Sequence, residues 1–546
     1  MDWNANYVIW AALIIFTLLV WHLRKKNSYR SSKLPPGPRG WPVFGNLFDL
    51  GSLPHRSLEA LRQEYGHVVW LNLGFVKTMV LLSAGAAEEC FKNHDLSFID
   101  RFTTDSMRSH DYYTVSLPFG SYNTSWRTMR RICTSELFTN KKINATMPLR
   151  QKRVNELLLW IEHEVKRSGT SKIAVRDFVS PALFNIIGNL TLSRNLMDPH
   201  SEISSEFLAA MAGFNEAVGR PNISDLVPWL RKLDLQGIRK NMDRSLAKAT
   251  KIISTFVKER VLERQQNQEL SSKPDFLDVL LDYRGNGEAE PAKLSEFQIS
   301  IFLMEMFFAG TETSTATIEW ALCELLQCSG QMKKIKAELG KVVGESKKLQ
   351  ESDIDNLPYL HAIVEETLRL HPPAPLLIPR KAVRDTNFMG YSIPKNAQVM
   401  VNYWAIGRDE DSWKDALSFK PERFLDSNVN YKGQSYEFIP FGSGRRICPG
   451  LPLAHRMVHL VLGSLLHHFE WELCDDGKII DMMETMGTSA RKLKPLHAIP
   501  KRCTPVNMND KLCVGDDDTE SVNASYFRSL VGGLMCLTNT RPDFVF

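Results

Sequence analysis

The sequence predicts a mainly α protein with a small β-sheet subdomain behind an N-terminal transmembrane helix. Three observations carry this. Apolar residues recur at helical spacing over 151–168, 240–266, 330–343, 358–370 and 451–468. Strand-like runs are few and short, at 67–73, 77–82, 391–393 and 398–402. One uncharged apolar run opens the chain. The 546 residues, 43% hydrophobic and 24% charged, exclude a disordered, collagen-like or coiled-coil chain. A net charge of +5, with no long basic block, argues against nucleic acid as a partner. The nine cysteines are scattered without a C-x-x-C pair, so neither a disulfide scaffold nor a zinc site is expected and a reducing compartment fits.

The opening run, Tyr7 to Leu23, reaches ~26 Å as a helix, near the short limit for spanning a bilayer. A cleaved signal peptide would carry its positive charge in front. Here Asp2 precedes the run and Arg24, Lys25 and Lys26 follow it, so the positive-inside rule leaves the downstream body in the cytosol. We read 1–33 as membrane anchor and basic flank. The segment 34–46, with Pro35, Pro36, Pro38 and Pro42, can hold neither helix nor central strand and reads as a stiff hinge.

Residues 299–326 are also long and apolar, but Glu305, Glu312, Glu319 and Glu324 interrupt them, and a charge at bilayer centre costs ~2.5–3.5 kcal/mol. Ser295 and Gln298 form a capping box, with Leu294 and Ile299 as its hydrophobic staple. One buried helix through a water-soluble body is expected. The polar stretch 266–293 reads as an exposed loop.

Four local arrangements carry chemistry. The first, Phe441-Gly442-Ser443-Gly444-Arg445-Arg446-Ile447-Cys448-Pro449-Gly450, holds one cysteine in a tight loop ahead of a helix. The helix N-terminus and the arginines favour thiolate over thiol, and a thiolate on haem iron pushes electron density toward O–O cleavage. Taken alone, a single cysteine there is more often a small buried residue. The second, Ala309-Gly310-Thr311-Glu312-Thr313-Ser314, lies mid-helix, where glycine costs ~1 kcal/mol and hydroxyls can distort the ladder. Ala309 and Thr313 share a face with room for a diatomic ligand, and a hydroxyl beside a carboxylate can relay protons. Alone, this is better read as a small-residue helix contact. The third is Glu366-Thr367-Leu368-Arg369, between Pro358 and Pro372-Pro373. As an exposed i, i+3 ion pair it would contribute only ~0–1 kcal/mol. The fourth, Trp126-x-x-x-Arg130, is weak by itself.

Together these motifs resemble the cytochrome P-450 superfamily across residues 1 to 502, in its order and rough spacing, with no motif residue missing. F-x-x-G-x-R-x-C-x-G at 441–450 resembles its haem-binding signature, and 309–314 its oxygen-activation motif. The resemblance implies the cytochrome P-450 fold over 47–502, with heme b as cofactor and Cys448 as its axial metal ligand. Phe441, Ala309 and Gly310 would lie beside the cofactor, and Trp126, Arg130, Arg380 and Arg446 would bind its propionates. Thr313 and Glu312 would be catalytic. Glu366, Arg369 and Arg423, the last from Pro421-Glu422-Arg423-Phe424, would be structural. Electrons would come from NADPH through a separate NADPH-cytochrome P-450 reductase, with Lys420 and Arg445 as docking contacts. Pro54-His55, Asn93-His94-Asp95 and Ala405-Ile406-Gly407-Arg408-Asp409 resemble plant enzymes of the geraniol and monoterpenoid hydroxylase family. That implies a single-pass protein of the endoplasmic reticulum membrane and a small lipophilic substrate. Phe119, Phe308, Leu376, Leu377, Ile378 and Met486 are expected to line its pocket, within the segments 106–120, 208–218, 305–309, 374–378 and 484–488. A haem-thiolate isomerase or dehydratase, needing no reductase, and an inactive fusion product are the rival readings.

The fusion reading comes from residues 503–546. They carry net −3 against +8 for residues 1–502, and Tyr526 to Asp543 resembles a copia-type retrotransposon polyprotein fragment lacking its catalytic Tyr-x-Asp-Asp. N-x-S/T sites begin at Asn123, Asn144, Asn189, Asn222 and Asn523, and with a cytosolic body they should stay bare.

Overall fold

The long helices are α1 (Thr124–Ile132), α2 (Met147–Ser168), α3 (Val175–Leu192), α4 (Glu202–Gly219), α5 (Ile238–Gln266), α6 (Glu296–Gln327), α7 (Ser329–Val342), α8 (Pro358–Leu370) and α9 (Leu451–His468). The computed structural model describes residues 33–168, 172–197, 202–266, 274–285, 290–344, 347–473 and 480–503. The expected anchor over 7–23 and the expected foreign tail beyond 503 lie outside these residues. Among the described residues no helix is long and apolar enough to cross a membrane.

The central helix α6 starts as its sequence dictates. Ser295 accepts from the Gln298 amide, Gln298 accepts from the Ser295 amide, and Leu294 and Ile299 are buried on either side. At 1.5 Å per residue it runs about 48 Å. Its buried carboxylates survive because each has a partner from another segment. Glu305 accepts from the Tyr112 hydroxyl at 2.7 Å, Glu319 meets Arg176 at 2.6 Å and Glu324 meets His371 at 2.6 Å. The helix continues unbroken through Gly310, where distortion was expected. Around it, α3, α5, α8 and α9 pack into one apolar core.

Five strands form the main sheet: β1 (Val68–Leu73), β2 (Val76–Leu81), β3 (Asp100–Arg101), β4 (Arg380–Lys381) and β5 (Gln398–Val401), in the order β1-β2-β5-β4-β3. Only β2 and β5 are parallel. A hairpin of β6 (Glu484–Met486) and β7 (Ala490–Lys492) reaches α6.

Two readings of the sequence are corrected. The proline segment forms no helix, but it is stitched to the sheet rather than standing free. The Trp70 amide donates to Pro36 O at 2.8 Å, and a Cβ on Gly37 would lie 1.9 Å from Trp70 O. The stretch 266–293 contains a helix, Phe276–Asp282, capped by Asp275 and Asp278 and pinned by Arg260 and Arg264. Its buried Phe276, Leu277 and Leu280 pack on the core, and seven residues flanked by polar chain are too few to show a period.

Candidate active site

The cysteine loop is held by its own backbone and by one distant acid. Gly442 and Gly444 take φ of 74° and 70°, which a side chain would strain, and a Cβ on Gly444 would lie 2.7 Å from Asp95 Oδ1. The Cys448 amide closes the loop on Phe441 O at 2.9 Å. Asp95 ties it to the sheet by accepting from Arg380 at 2.6 Å and from Arg445 at 3.1 Å. Cys448 is half-buried and lies just before the start of α9. The expected preference for thiolate does not hold for the protein alone. Burial pushes the Cys448 thiol up, and the Gly450 amide, the Arg130 guanidinium and the Leu451 amide only partly offset it. A bound metal ion's charge would reverse that balance, because a coordinating thiol is deprotonated outright.

Beside the loop the chain gathers buried positive charge. The register of β3 and β4 sets Arg101 directly opposite Arg380, a like-charged pair that needs an anion between or beside it. Arg446 adds a third guanidinium 4.0 Å over the Trp126 ring, and its Nη1 is buried without a partner. Arg130 donates to Ile447 O at 2.5 Å, and the Trp126 indole to Leu117 O at 2.9 Å. Burial first, then Arg380 and Arg446, hold Arg101 well below the usual guanidinium range; burial and Arg380 bring Arg446 down to about 10. Four guanidiniums with an orphaned donor, next to a cysteine, fit a thiolate-ligated group bearing two carboxylates, so these residues fit haem. Arg101 had no signal in the sequence. It is one arginine on a two-residue strand, and only the pairing register gives it a role.

The 117–120 segment joins the loop to α6, since Arg446 donates to Gly120 O at 2.9 Å and the Phe119 ring lies 6.4 Å from Phe308, and the middle of α6 is accessible although its flanks are buried. Ala309 is exposed and Phe308, Glu312 and Thr313 are partly so. The Thr313 hydroxyl donates to Ala309 O at 2.6 Å, which fixes its rotamer. Gly310 has a packing duty, since a Cβ there would lie 2.7 Å from Ile187 Cδ1 of α3. Glu312 faces a cleft that Arg176, Asp177, Phe184 and Asn215 also line. It accepts from Asn215 at 3.2 Å and Thr488 at 3.4 Å, with Arg491 of β7 3.8 Å away.

Glu366 and Arg369 are fully buried. Arg369 binds both Glu366 oxygens at 2.7 Å and donates to the carbonyls of Gly407, Ala416 and Ser418. Arg423 donates to Glu366 at 3.0 Å. Every polar atom of this network has a partner, and it locks α8 to the 407–423 segment that leads into the cysteine loop.

The expected pocket residues divide. Phe119 and Phe308 lie 6.4 Å apart, and Phe214 of α4 meets Phe308 at 5.2 Å, forming one aromatic wall. Leu377 and Ile378 pack on the same core. Leu376 instead joins the smaller cluster beneath the main sheet, with Met486 against it, so these two stand apart from the aromatic wall. Leu377 takes φ of 49°, a strained backbone for a branched residue beside a site. Arg101 donates to Ile378 O at 2.6 Å and Pro118 O at 3.0 Å, joining the two loops that carry Phe119 and Leu377.

The family model for cytochrome P-450 matches residues 35–498. "Cytochrome P-450 76A2" of Solanum melongena is 51% identical over 506 residues, covering 92% of this chain and 100% of that protein. "Iridoid oxidase" of Catharanthus roseus is 46% identical over 493 residues, covering 89% and 96%. "Geraniol 8-hydroxylase" of the same plant is 39% identical over 498 residues, covering 91% and 99%.

Proposed function

The chain belongs to the cytochrome P-450 family of haem-thiolate enzymes, and we propose that it hydroxylates a small lipophilic plant metabolite, a monoterpenoid such as geraniol, using electrons from NADPH through a partner reductase. The observation that carries the chemistry is the gathering of buried Arg101, Arg380 and Arg446 and partly buried Arg130 at the Cys448 loop, which the 117–120 segment joins to the accessible middle of α6. Relatives named as an iridoid oxidase and as geraniol 8-hydroxylases support the substrate class, as does the aromatic wall.

In this reading Cys448 ligates heme b, and Arg101, Arg130, Arg380 and Arg446, with Trp126, hold its propionates. The bound group supplies the oxidising chemistry that inserts one oxygen atom of O2 into a C–H bond. The chain's own residues do the rest. Phe119, Phe214 and Phe308 exclude water and orient an apolar skeleton. The Thr313 hydroxyl, now donating to Ala309 O, can turn to hold a proton toward the opening. Glu312 can pass protons from its cleft to that hydroxyl. Glu366, Arg369 and Arg423 keep the cysteine segment in register. Tyr7 to Leu23 anchors the protein in the endoplasmic reticulum membrane, with the enzyme body on the cytosolic side.

The test is turnover in microsomes with added reductase. Geraniol and related monoterpenols should be hydroxylated only with NADPH. Product formed without NADPH or reductase would favour the isomerase reading, and no product from any terpenoid would remove the substrate class.

A further inference from the structure

A second cluster of ligating side chains lies outside the site described above. Seven residues after Cys448, α9 carries His455, and one turn on, His459; α8, packed against α9, carries His361. The imidazoles cluster, His361 and His455 stacked with ring centroids 5.1 Å apart and His459 tilted against both at 4.5 Å and 4.3 Å. One nitrogen of each lies within 4.8 Å of the others.

Carbonyl contacts fix the tautomers of two of the rings. His361 Nε2 lies 3.0 Å from Ile354 O, and His459 Nδ1 lies 2.6 Å from His455 O. A carbonyl can only accept, so those nitrogens carry the protons and leave His361 Nδ1 and His459 Nε2 as bare lone pairs. His455 Nδ1 bonds the Tyr431 hydroxyl, which can donate or accept, so His455 offers Nε2 as a third lone pair in the tautomer whose Nδ1 carries the proton. His459 Nε2 is buried and has no partner, an acceptor left unmet in the protein alone.

We propose that His361, His455 and His459 form a binding site for a divalent transition-metal ion of the zinc class, bridging α8 and α9. Three imidazoles whose far nitrogens are tied to carbonyls or a hydroxyl are the donor set and outer support that such an ion takes. Zinc–nitrogen bonds of about 2.0–2.1 Å place tetrahedral nitrogens about 3.3 Å apart, so the rings turn slightly inward on loading. His361 and His455 are partly exposed, which gives the ion a way in. Water can supply a fourth ligand, as in zinc sites with three protein ligands. The positive charges facing the cluster are Lys432 and Arg456, and Arg456 is paired with Asp355 at 2.8 Å. An ion here would cross-link the helix holding Glu366 and Arg369 to the helix that follows Cys448.

The probe is zinc chloride, added to the haem-loaded full chain in detergent after chelator treatment and competed against a fluorescent zinc indicator. One zinc per haem is expected. The double variant His455→Gln/His459→Gln should bind at least 100-fold more weakly while keeping its reduced carbon-monoxide spectrum. His361→Gln, on the more exposed side, should weaken binding at least tenfold and serves if the double variant fails to load haem. Equal zinc affinity in wild type and His361→Gln, or no uptake by the wild type at micromolar zinc, would overturn the site.

Discussion

The Tyr112 hydroxyl donates to Glu305 Oε1 at 2.7 Å with both side chains buried, and the Leu117 amide donates to the other oxygen at 3.0 Å. This pair pins the 112–119 segment, with Phe119, to α6 about one turn before the accessible stretch. Burial raises the Glu305 carboxyl from 4.5 to about 7, against the hydrogen bonds that lower it. The folded protein therefore holds a proton between about pH 4.5 and 7 that the unfolded chain releases, and stability falls as pH rises through that window, then levels. The melting temperature should drop between pH 5.5 and 7.5, and Glu305→Gln should flatten that fall. An unchanged slope in the variant would place the titration elsewhere.

Tyr112→Phe leaves Glu305 Oε1 buried without its donor. The expected cost is about 1–3 kcal/mol, read by thermal unfolding at pH 8, with a smaller cost at pH 5.5 where the carboxyl is protonated. Equal losses at both pH values would mean that the hydroxyl matters only by packing.

Arg369→Lys keeps the charge but cannot bind two Glu366 oxygens and three carbonyls together. Breaking one partner of a buried pair costs about 3–5 kcal/mol, so the variant should accumulate without haem. Normal haem content would show that the cysteine segment does not depend on this network.

Glu312→Gln should cut NADPH-dependent product formation by about 10²-fold, with the carbon-monoxide spectrum unchanged. Arg491→Ala, which removes one of three groups around that carboxylate, should have a smaller effect in the same direction. Wild-type turnover in both would remove Glu312 from proton delivery.

Much of this was legible from the chain because the signals were local. The ends of α6, α8 and α9 follow from a capping box, a proline at the first turn and a Pro-Gly loop, all short-range. What escaped depends on register or on distant partners. Arg101 gains its place only by pairing with Arg380, Asp95 by accepting from the loop about 350 residues on. At Cys448 the helix-end charge can be read from sequence, but the burial that pushes the free thiol up cannot. Leu376 and Leu377 are neighbours in the chain but serve different clusters, which follows from the left-handed backbone at Leu377. Among the N-x-S/T sites, Asn189 and Asn222 are buried, so the fold itself would block their modification, whereas Asn123 and Asn144 are exposed.

The most direct measurement is the reduced carbon-monoxide difference spectrum of the full chain in microsomes beside Cys448→Ser. The account predicts a strongly red-shifted Soret band in the wild type and none in the variant, since only a thiolate ligand on the haem iron gives that shift. A red-shifted band that survives in Cys448→Ser, or its absence from the wild-type chain, would contradict the assignment of Cys448 as the haem ligand.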